Sequence, residues 1–160
     1  MIVRADYVVD GDICNIDLER LAKDGIKGLI FDLDSTLVAP HTATLTDEVR
    51  CILEAARSNF KVAVLSNNKK DVYLDQCSNA LNMQVIGRAA KPSPAGFKKV
   101  QETFQLKPEE VAVVGDRPLT DVLGGHLAGM KTVLVWHLKS IKEPKWKTFF
   151  RKMERIFIRP

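Results

Sequence analysis

The sequence has few cysteines and no long hydrophobic run, and both absences limit the class of protein it encodes. The three cysteines, Cys14, Cys51 and Cys77, are widely spaced, which is neither a disulfide framework nor a zinc-binding pattern. A transmembrane helix needs about 20 consecutive apolar residues, and a signal peptide needs an apolar core before its cleavage site. The sequence shows neither feature. We therefore expect an intracellular protein, in the cytoplasm or an equivalent organelle interior.

The Gly-rich loops that bind nucleotide phosphates are also absent. Neither GxGxxG nor GxxxxGK[ST] occurs, and the nearest stretch, "GGHLAG" at 124–129, falls in or at the end of a predicted helix. The 160 residues are 46% hydrophobic and 28% charged, as in an ordinary globular domain with a sizeable core. The function must therefore be sought in other motifs.

The net charge of +4 is concentrated at the C-terminus. Residues 139–160 contain eight basic and two acidic residues, a charge of +6. The first 138 residues contain 16 basic and 18 acidic residues, a charge of −2. We therefore divide the chain into a domain over 1–138 and a basic segment over 139–160.

Apolar runs alternate with segments of helical periodicity. Five runs are typical of buried strands: "IKGLIFDLD", "KVAVLSNN", "MQVIGRA", "VAVVGD" and "KTVLVWHL". Helices are predicted over 15–24, 45–59, 69–82, 93–105 and 118–130. This alternation predicts a doubly wound α/β fold, in which helices cover both faces of a parallel sheet. In such sheets the ligand site lies at the carboxyl ends of the strands.

Polar residues follow four of the predicted strands. They are Asp32 and Asp34, then Ser66 and Asn67, then Lys91, and finally Asp116 with Asp121 five residues on. Ionised carboxylates as close in sequence as Asp32 and Asp34 repel each other unless a cation or a shared proton relieves them. Mg²⁺ prefers oxygen ligands, so Asp32 and Asp116 are candidates to hold that cation.

The same residues suit phosphoryl chemistry. The Ser66 hydroxyl, a backbone amide and the Lys91 ammonium can surround a phosphoryl group. One carboxylate can attack phosphorus and form an aspartyl-phosphate. The second carboxylate can protonate the leaving oxygen and then activate water.

Each of these residues also has an ordinary structural interpretation. Asp commonly occupies turns, Ser66–Asn68 can cap a helix, and Asp121 can face solvent near a helix N-terminus. A lysine before a proline, such as Lys91, is usually a solvated loop residue. Four polar strand ends together favour a shared site over four separate coincidences. The three histidines have no partners at ligand spacing and are interpreted as surface or structural residues: His41, His126 and His137.

Together the strand-end stretches resemble the motifs of the haloacid-dehalogenase (HAD) superfamily of phosphatases. "DLDST" (32–36), "VLSNN" (64–68), "KP" (91–92) and "GDRPLTD" (115–121) occur in that family's order. The detailed pattern is similar to subfamily IIIA and its YqeG-like branch, whose relatives include phosphatidylglycerophosphate phosphatases. The resemblance covers residues from about 27 to 136 and implies a HAD-type Rossmann-like fold. Position 35 is Ser where many members have Gly.

The resemblance also implies a role for each motif residue. Asp32 would be the nucleophile and a Mg²⁺ ligand, and Asp34 the general acid/base, with its backbone carbonyl on the metal. Ser66 and Asn67 would bind the substrate phosphate. Lys91 would neutralise charge on the phosphoryl group and nucleophile, Asp116 would ligate Mg²⁺, and Asp121 would support the metal site.

The intervals between the motifs bear on how the site is covered. Many HAD enzymes carry a cap domain inserted after the first or second motif. Here residues 37–63 and 69–90 each have room for a helix and a strand. We therefore expect a fold without a large cap domain and an open site. An open site suits a phosphate on something large, which can be a lipid at a membrane, a protein or a nucleic acid.

The basic segment predicts an amphipathic C-terminal helix. Trp146, Phe149 and Phe150 belong to an apolar set at helical spacings, and Lys147 and Arg151 to the basic set. Such a helix is typical of membrane interfaces. At about 1.5 Å per residue it is too short to span a bilayer. It can also pack on the sheet, or bind nucleic acid or an acidic protein.

These observations lead to one favoured function and two alternatives. We expect a Mg²⁺-dependent phosphatase whose substrate is a lipid phosphate, phosphatidylglycerophosphate, at an anionic membrane, with peripheral membrane contact and no nucleic acid. One alternative is a phosphatase for a soluble phosphometabolite or a phosphoprotein. The other is a phospho-switch or binding protein without turnover, which Asp34 argues against because it supplies an acid/base for hydrolysis.

Overall fold

The computed structural model describes residues 3–138 and, in the C-terminal segment, Lys145, Trp146, Phe149, Lys152 and Met153. These residues include six strands, numbered β1 to β6: Tyr7–Val8, Gly28–Phe31, Lys61–Leu65, Val85–Ile86, Val111–Gly115 and Lys131–Leu134. They also include five α-helices, numbered α1 to α5: Leu18–Lys23, Asp47–Asn59, Asp71–Leu81, Ala95–Phe104 and Leu123–Leu127.

The six strands form one all-parallel sheet in the order β1-β6-β5-β2-β3-β4. The central strand β2 pairs on one side with β3, with Gly28 opposite Lys61, and on the other with β5, with Gly28 opposite Val111. Because the pairing is parallel, every strand ends at the same edge of the sheet, which we call the carboxyl edge. This topology confirms the predicted α/β fold.

Hydrophobic cores lie on both faces of the sheet. Leu29 and Phe31 of β2 belong to the core that includes side chains of α2 and α3. Ile30, between them, belongs to the opposite core, which includes Phe97 and Val100 of α4. Successive strand residues point to opposite faces, so a strand covered on both sides is apolar throughout. The continuous apolar runs of the sequence therefore follow from the double covering.

Helix starts follow local chemistry. The Thr46 side chain accepts a hydrogen bond of 3.3 Å from the Val49 backbone N–H at the start of α2. Asp17 does the same for the Arg20 N–H at the start of α1, at 3.0 Å. These oxygens satisfy backbone donors that have no partner within the helix.

Two elements differ from the sequence prediction. Strand β1, which pairs with β6 at the sheet edge, was not predicted. The equally short β4 was predicted because it lies between two predicted helices, whereas β1 precedes the first of them. The predicted helix 118–130 is a π-helical turn over Pro118–Val122 followed by the short α5. A Cβ atom at Gly125 would lie 2.7 Å from the Thr132 side chain, so glycine lets α5 approach the sheet closely. The "GGHLAG" stretch is thus a packing feature.

The carboxyl edge has no cap domain in the part of the chain that the structure describes. Only α2 lies between the first motif and β3, and only α3 and β4 lie between the second and third motifs. This agrees with the expectation from the motif intervals. None of the helices formed by described residues combines the length and apolar character needed to cross a bilayer.

The described residues of the C-terminal segment are helical and exposed. Trp146 and Phe149 are 61% and 60% exposed, which argues against the alternative that these two rings pack in the domain core. Phe150, Lys147 and Arg151, which we predicted on the same helix, lie outside the described residues. The division of the chain at residue 138 stays a prediction.

Asp6 fastens β1 to the rest of the sheet and provides a test of this edge. Its carboxylate accepts hydrogen bonds from the backbone N–H and hydroxyl of Thr132, at 2.9 and 3.0 Å, and lies 3.3 Å from the Lys131 Nζ. Burial alone raises the pKa of Asp6, but these hydrogen bonds, with His126 and the charge of Lys131, hold the pKa below its ordinary value.

We predict that Asp6→Ala lowers the free energy of unfolding by about 1–2 kcal/mol at pH 7, because hydrogen bonds to a charged group are lost. The stabilisation is present above the ordinary Asp pKa and disappears as the pH falls through the lowered one. Urea denaturation at pH 7 and at low pH measures both effects. Asp75→Ala, at an exposed position of α3, is the control and should change stability by less than about 0.5 kcal/mol. Equal stability of the two variants at pH 7 would contradict the role given to Asp6.

Candidate active site

A cleft of about 250 Å³ opens at the carboxyl edge, and it is lined by five of the predicted site residues: Asp32, Asp34, Ser66, Asn67 and Lys91. Strand β2 delivers Asp32 and Asp34, and β3 delivers Ser66 and Asn67. Lys91 enters from the loop after β4. Loops at this edge belong to four different strands, so the cleft is formed by topology and not by one local motif.

Three carboxylates meet beside the cleft. One carboxylate oxygen from each of Asp32, Asp116 and Asp121 lies within 4.8 Å of the other two. Asp116 and Asp121 are almost fully buried. Buried carboxylates at this spacing repel one another strongly and need compensating positive charge.

Lys91 supplies part of that charge. Its Nζ lies 2.6 Å from Asp32 Oδ1 and 2.7 Å from Asp121 Oδ1, and its side chain is only 3% exposed. Burial lowers the pKa of Lys91, but the carboxylates of Asp121 and Asp32 outweigh that effect and raise the pKa above its ordinary value. The ammonium is therefore charged across the physiological range.

The single positive charge of Lys91 does not fully offset the negative charge of three carboxylates. Burial and the neighbouring charge of Asp32 raise the pKa of Asp121 to about 6, although Lys91 acts in the opposite direction. The cluster of Asp32, Asp116 and Asp121 therefore favours a further cation. Its donors are all hard carboxylate oxygens, the set that Mg²⁺ prefers. The residues fit a Mg²⁺ ion on the chemistry of this donor set.

Thr36 joins two members of the cluster, and sequence reasoning missed it. Its hydroxyl is buried and lies 3.4 Å from both Asp32 Oδ2 and Asp116 Oδ1. Both distances are long for a hydrogen bond between oxygens, so the hydroxyl is shared weakly between the two carboxylates. The signal in the sequence was its place in "DLDST", four residues after Asp32, where it can reach back to the strand end.

The Asp34 side chain is turned toward a different partner. The hydroxyl of Tyr73 in α3 donates a hydrogen bond of 2.6 Å to Asp34 Oδ1. Tyr73 is 7% exposed, so its packing fixes the position of the donor. The side chain of Asp34 is not one of the three clustered carboxylates, which leaves its backbone carbonyl as the atom predicted for the metal. No sequence motif pointed to Tyr73.

Ser66 and Asn67 have distinct environments. Ser66 is buried, and its hydroxyl accepts a hydrogen bond of 3.0 Å from the Asn68 backbone N–H. The Asn67 side chain bonds both backbone groups of Lys91, accepting from N–H at 2.7 Å and donating to C=O at 3.1 Å. Asn67 therefore positions the lysine loop, in addition to lining the cleft.

Ser35 stands at a position where glycine would be the easier residue. Its φ is +69°, in the left-handed region that glycine adopts most easily. The turn that it forms is held by hydrogen bonds, since Ser35 N–H donates to Val38 C=O at 2.8 Å and Ser35 C=O accepts from Leu138 N–H at 2.9 Å. The left-handed turn is thus fixed from both sides.

Other residues that line the cleft were not predicted as site residues. They are Pro40, His41, Asn68, Arg117 and Thr120. The Arg117 backbone N–H donates a hydrogen bond of 3.2 Å to Asp121 Oδ2, so the start of the π-helical turn also orients this carboxylate. His41, which we interpreted as surface or structural, lies with its ring centre 6.4 Å from that of Tyr73. Asn68, Arg117 and Thr120 lie within the quoted stretches "VLSNN" and "GDRPLTD", whereas Pro40 and His41 reach the cleft from the loop after β2, where the sequence carried no signal.

Comparisons with known proteins show the family to which the chain is similar. A family model described as "Mitochondrial PGP phosphatase" matches residues 8–142. "Probable phosphatase YqeG" of Bacillus subtilis (strain 168) is 35% identical over 125 residues, which cover 78% of this chain and 72% of that protein. "Phosphatidylglycerophosphate phosphatase 1, chloroplastic/mitochondrial" of Arabidopsis thaliana is 31% identical over 157 residues. That match covers 92% of this chain and 45% of the plant protein, so the chain spans less than half of its length.

A solved structure shows the same fold. It is the putative HAD-hydrolase YfnB from Bacillus subtilis bound to magnesium, with a TM-score of 0.56 and 14% sequence identity. The similarity covers 74% of this chain and 90% of the other chain. At this identity the likeness concerns the fold alone.

Gly115, the last residue of β5, tests the carboxylate cluster. A Cβ atom there would lie 2.3 Å from Asp121 Cγ and Oδ2. We predict that Gly115→Ala displaces the Asp121 carboxylate and weakens Mg²⁺ binding at least tenfold, in line with the effect of disturbing groups that orient a metal site. Isothermal titration with MgCl₂ measures the affinity.

Gly96→Ala is the matched control for this substitution. A Cβ atom at Gly96 meets its nearest neighbour at 3.4 Å, an ordinary contact, so this variant should bind Mg²⁺ as the wild type does. Unchanged Mg²⁺ affinity in Gly115→Ala, with the fold intact by circular dichroism, would show that Asp121 does not contribute to the metal site.

Proposed function

The chain belongs to the HAD-superfamily phosphatase family whose model is described as "Mitochondrial PGP phosphatase", and from that membership we propose that it is a Mg²⁺-dependent phosphomonoesterase working through an aspartyl-phosphate on Asp32. One observation carries the proposal. Lys91 lies between Asp32 and Asp121, in a buried carboxylate cluster next to an open cleft. The positive charge of Lys91 lowers the repulsion between an anionic phosphoryl group and the anionic nucleophile.

In the first step, an Asp32 carboxylate oxygen forms a bond to phosphorus as the bond from phosphorus to the ester oxygen breaks. Lys91 holds positive charge at Asp32 Oδ1, 2.6 Å away, and so lowers the repulsion between the carboxylate and the phosphoryl oxygens. The Ser66 hydroxyl and backbone N–H groups of its loop are donors for those oxygens. The departing alkoxide takes a proton from the Asp34 carboxylic acid.

In the second step, water attacks phosphorus and restores the enzyme. Asp34, now a carboxylate, accepts a proton from the attacking water, and the bond between phosphorus and the Asp32 oxygen breaks. Inorganic phosphate leaves and Asp34 is again protonated, so the cycle is closed. Tyr73 holds Asp34 in position through the 2.6 Å hydrogen bond from its hydroxyl.

Mg²⁺ completes this charge arrangement. Asp32, Asp116 and the backbone carbonyl of Asp34 are its proposed ligands, and Asp121 supports the site. When bound, the ion supplies positive charge that offsets the repulsion among the carboxylates and toward the phosphoryl oxygens.

The proposed substrate is phosphatidylglycerophosphate, at an anionic membrane in the cytoplasm or an equivalent organelle compartment. Two features support it: the name of the Arabidopsis relative, and the lack of a cap domain over the cleft in the described part of the chain. An uncovered cleft excludes water poorly and offers a small substrate few contacts, whereas a phosphate on a lipid headgroup is positioned by the bilayer. The basic, aromatic segment after residue 138 supports peripheral membrane contact. A soluble phosphometabolite is the alternative substrate.

The first test is direct. We predict that the purified protein releases phosphate from phosphatidylglycerophosphate in mixed micelles, that EDTA abolishes this activity, and that Mg²⁺ restores it. Asp32→Asn keeps the side-chain shape but removes the attacking charge, so it should lower kcat by at least a thousandfold, as expected when a nucleophile is lost. Phosphate release on micelles and on a soluble aryl phosphate is the measurement. Activity of Asp32→Asn near that of the wild type would refute the mechanism, and hydrolysis of the soluble ester alone would favour the alternative substrate.

The second test concerns Asp34 and its partner. An alkyl ester needs a proton on its leaving oxygen, whereas an aryl phosphate leaves well without one. We therefore predict that Asp34→Asn lowers kcat by about a hundredfold or more on the alkyl ester and much less on the aryl phosphate. Tyr73→Phe should give the same pattern with a smaller loss, about tenfold, because only the position of Asp34 is disturbed. Equal losses on both esters would contradict the acid/base role.

A further inference from the structure

Two exposed apolar side chains lie at the carboxyl edge, where the cleft opens. Val72, in the first turn of α3, is 73% exposed. Leu119, in the π-helical turn after β5, is 44% exposed and lies between Arg117 and Thr120, which both line the cleft. Each follows a strand by a few residues, so both lie at the carboxyl edge. Large apolar side chains exposed beside a functional cleft are typical of interaction sites.

Basic side chains precede each of these two positions in the chain. Lys69 and Lys70 are exposed and immediately precede α3, and Arg117 is exposed at the start of the π-helical turn. The nearby acidic residue Asp71 is paired with Arg88. The rim of the cleft is therefore positively charged, although the first 138 residues together are slightly acidic.

The basic C-terminal segment leaves the domain at the same edge. Strand β6 ends at Leu134, and the backbone N–H of Leu138 donates a hydrogen bond of 2.9 Å to the C=O of Ser35, in the turn that follows Asp34. Beyond this point Trp146, Phe149 and Met153 are helical, exposed, and spaced three and four residues apart. On the C-terminal helix predicted from the sequence, spacings of three and four residues would place these side chains on one side.

We propose that the rim of the cleft, made of Lys69, Lys70, Val72, Arg117 and Leu119, is a docking surface for an anionic lipid bilayer. Val72 and Leu119 enter the boundary between headgroups and acyl chains, and the three basic side chains contact anionic headgroups. This proposal rests on the proposed function and adds to it how the enzyme is oriented on the bilayer. The cleft then faces the bilayer, and a lipid phosphate reaches Asp32 without leaving the membrane.

The composition of the rim fits a bilayer better than a protein partner. The centre of a protein interface is apolar and has few charges, whereas Val72 and Leu119 follow different strands and each has a basic residue two positions before it in the chain. Such a pattern suits headgroups, where apolar burial is shallow and basic residues add attraction to anionic lipid. The recessed position of the Asp32 side chain, 11% exposed, also suits a ligand that projects from a surface.

The chain offers a matched control for each substitution. Leu127 is 54% exposed and is the last residue of α5, before the strand β6 begins, so it lies at the opposite edge of the sheet. Lys107 is exposed before β5 at that opposite edge. Leu119→Ser and Leu127→Ser remove the same side chain, and Lys70→Gln and Lys107→Gln remove the same charge.

The experiment measures co-sedimentation of the full chain with vesicles of phosphatidylglycerol and phosphatidylcholine, and with vesicles of phosphatidylcholine alone. We expect tight binding only to the anionic vesicles, with partial release by salt. Val72→Ser combined with Leu119→Ser should weaken binding about tenfold through lost apolar burial. Lys70→Gln should weaken it about fivefold at low salt. Leu127→Ser and Lys107→Gln should bind as the wild type does.

Activity on a soluble aryl phosphate separates docking from folding and chemistry. The rim variants should keep this activity and their melting temperature, while hydrolysis of phosphatidylglycerophosphate in vesicles falls in step with binding. Rim variants that bind vesicles as the wild type does, or lose no more affinity than Leu127→Ser, would overturn the docking proposal. A rim effect on vesicle binding without any hydrolysis of phosphatidylglycerophosphate would instead refute the proposed substrate and leave the docking surface standing.

Discussion

The repulsion among Asp32, Asp116 and Asp121 is the constraint on which the site depends. Three carboxylates with oxygens within 4.8 Å of one another, two of them buried, are unfavourable without positive charge. Lys91 provides it from a loop of its own, in contact with two of the three. The loop that carries Lys91 must therefore be held accurately, and the Asn67 side chain holds it by bonding both of its backbone polar groups.

The parallel sheet supplies the accuracy that this constraint needs. Asp32 and Asp116 follow neighbouring strands, and the register of β2 with β5 sets their separation. Gly115 leaves room for Asp121 to approach, and the Arg117 N–H orients it. The backbone geometry of β5 and of the turn after it thus serves the same cluster. The fold and the site are linked here, because β5 and the turn after it both bury the carboxylates and form part of the carboxyl edge.

Much of this arrangement could be predicted from the sequence, for a physical reason. Continuous apolar runs identify strands covered on both faces, and the polar residues after them must meet at one edge. Asp32, Ser66, Lys91 and Asp116 were predicted in this way. Tyr73 could not be, because a tyrosine at a helical core spacing has the pattern of a packing residue. Its contact with Asp34 depends on how α3 lies against the sheet. Strand β1 was missed because, unlike the equally short β4, it does not lie between two predicted helices. The π-helical turn was missed because five residues are too few to show a period.

The order of the strands along the chain has a consequence for biosynthesis. Strand β2, which leads into Asp32, ends at Phe31, but its partner β5 begins at Val111, and the second carboxylate contact of Lys91 comes from Asp121. A nascent chain emerges from the ribosome N-terminus first. All residues up to 110 can therefore be outside the ribosome while Asp32 still lacks the strand that brings Asp116 beside it. The carboxylate cluster is therefore assembled only after residue 121 has been made, so the Mg²⁺ site that we propose there can form only once β5 has joined the sheet.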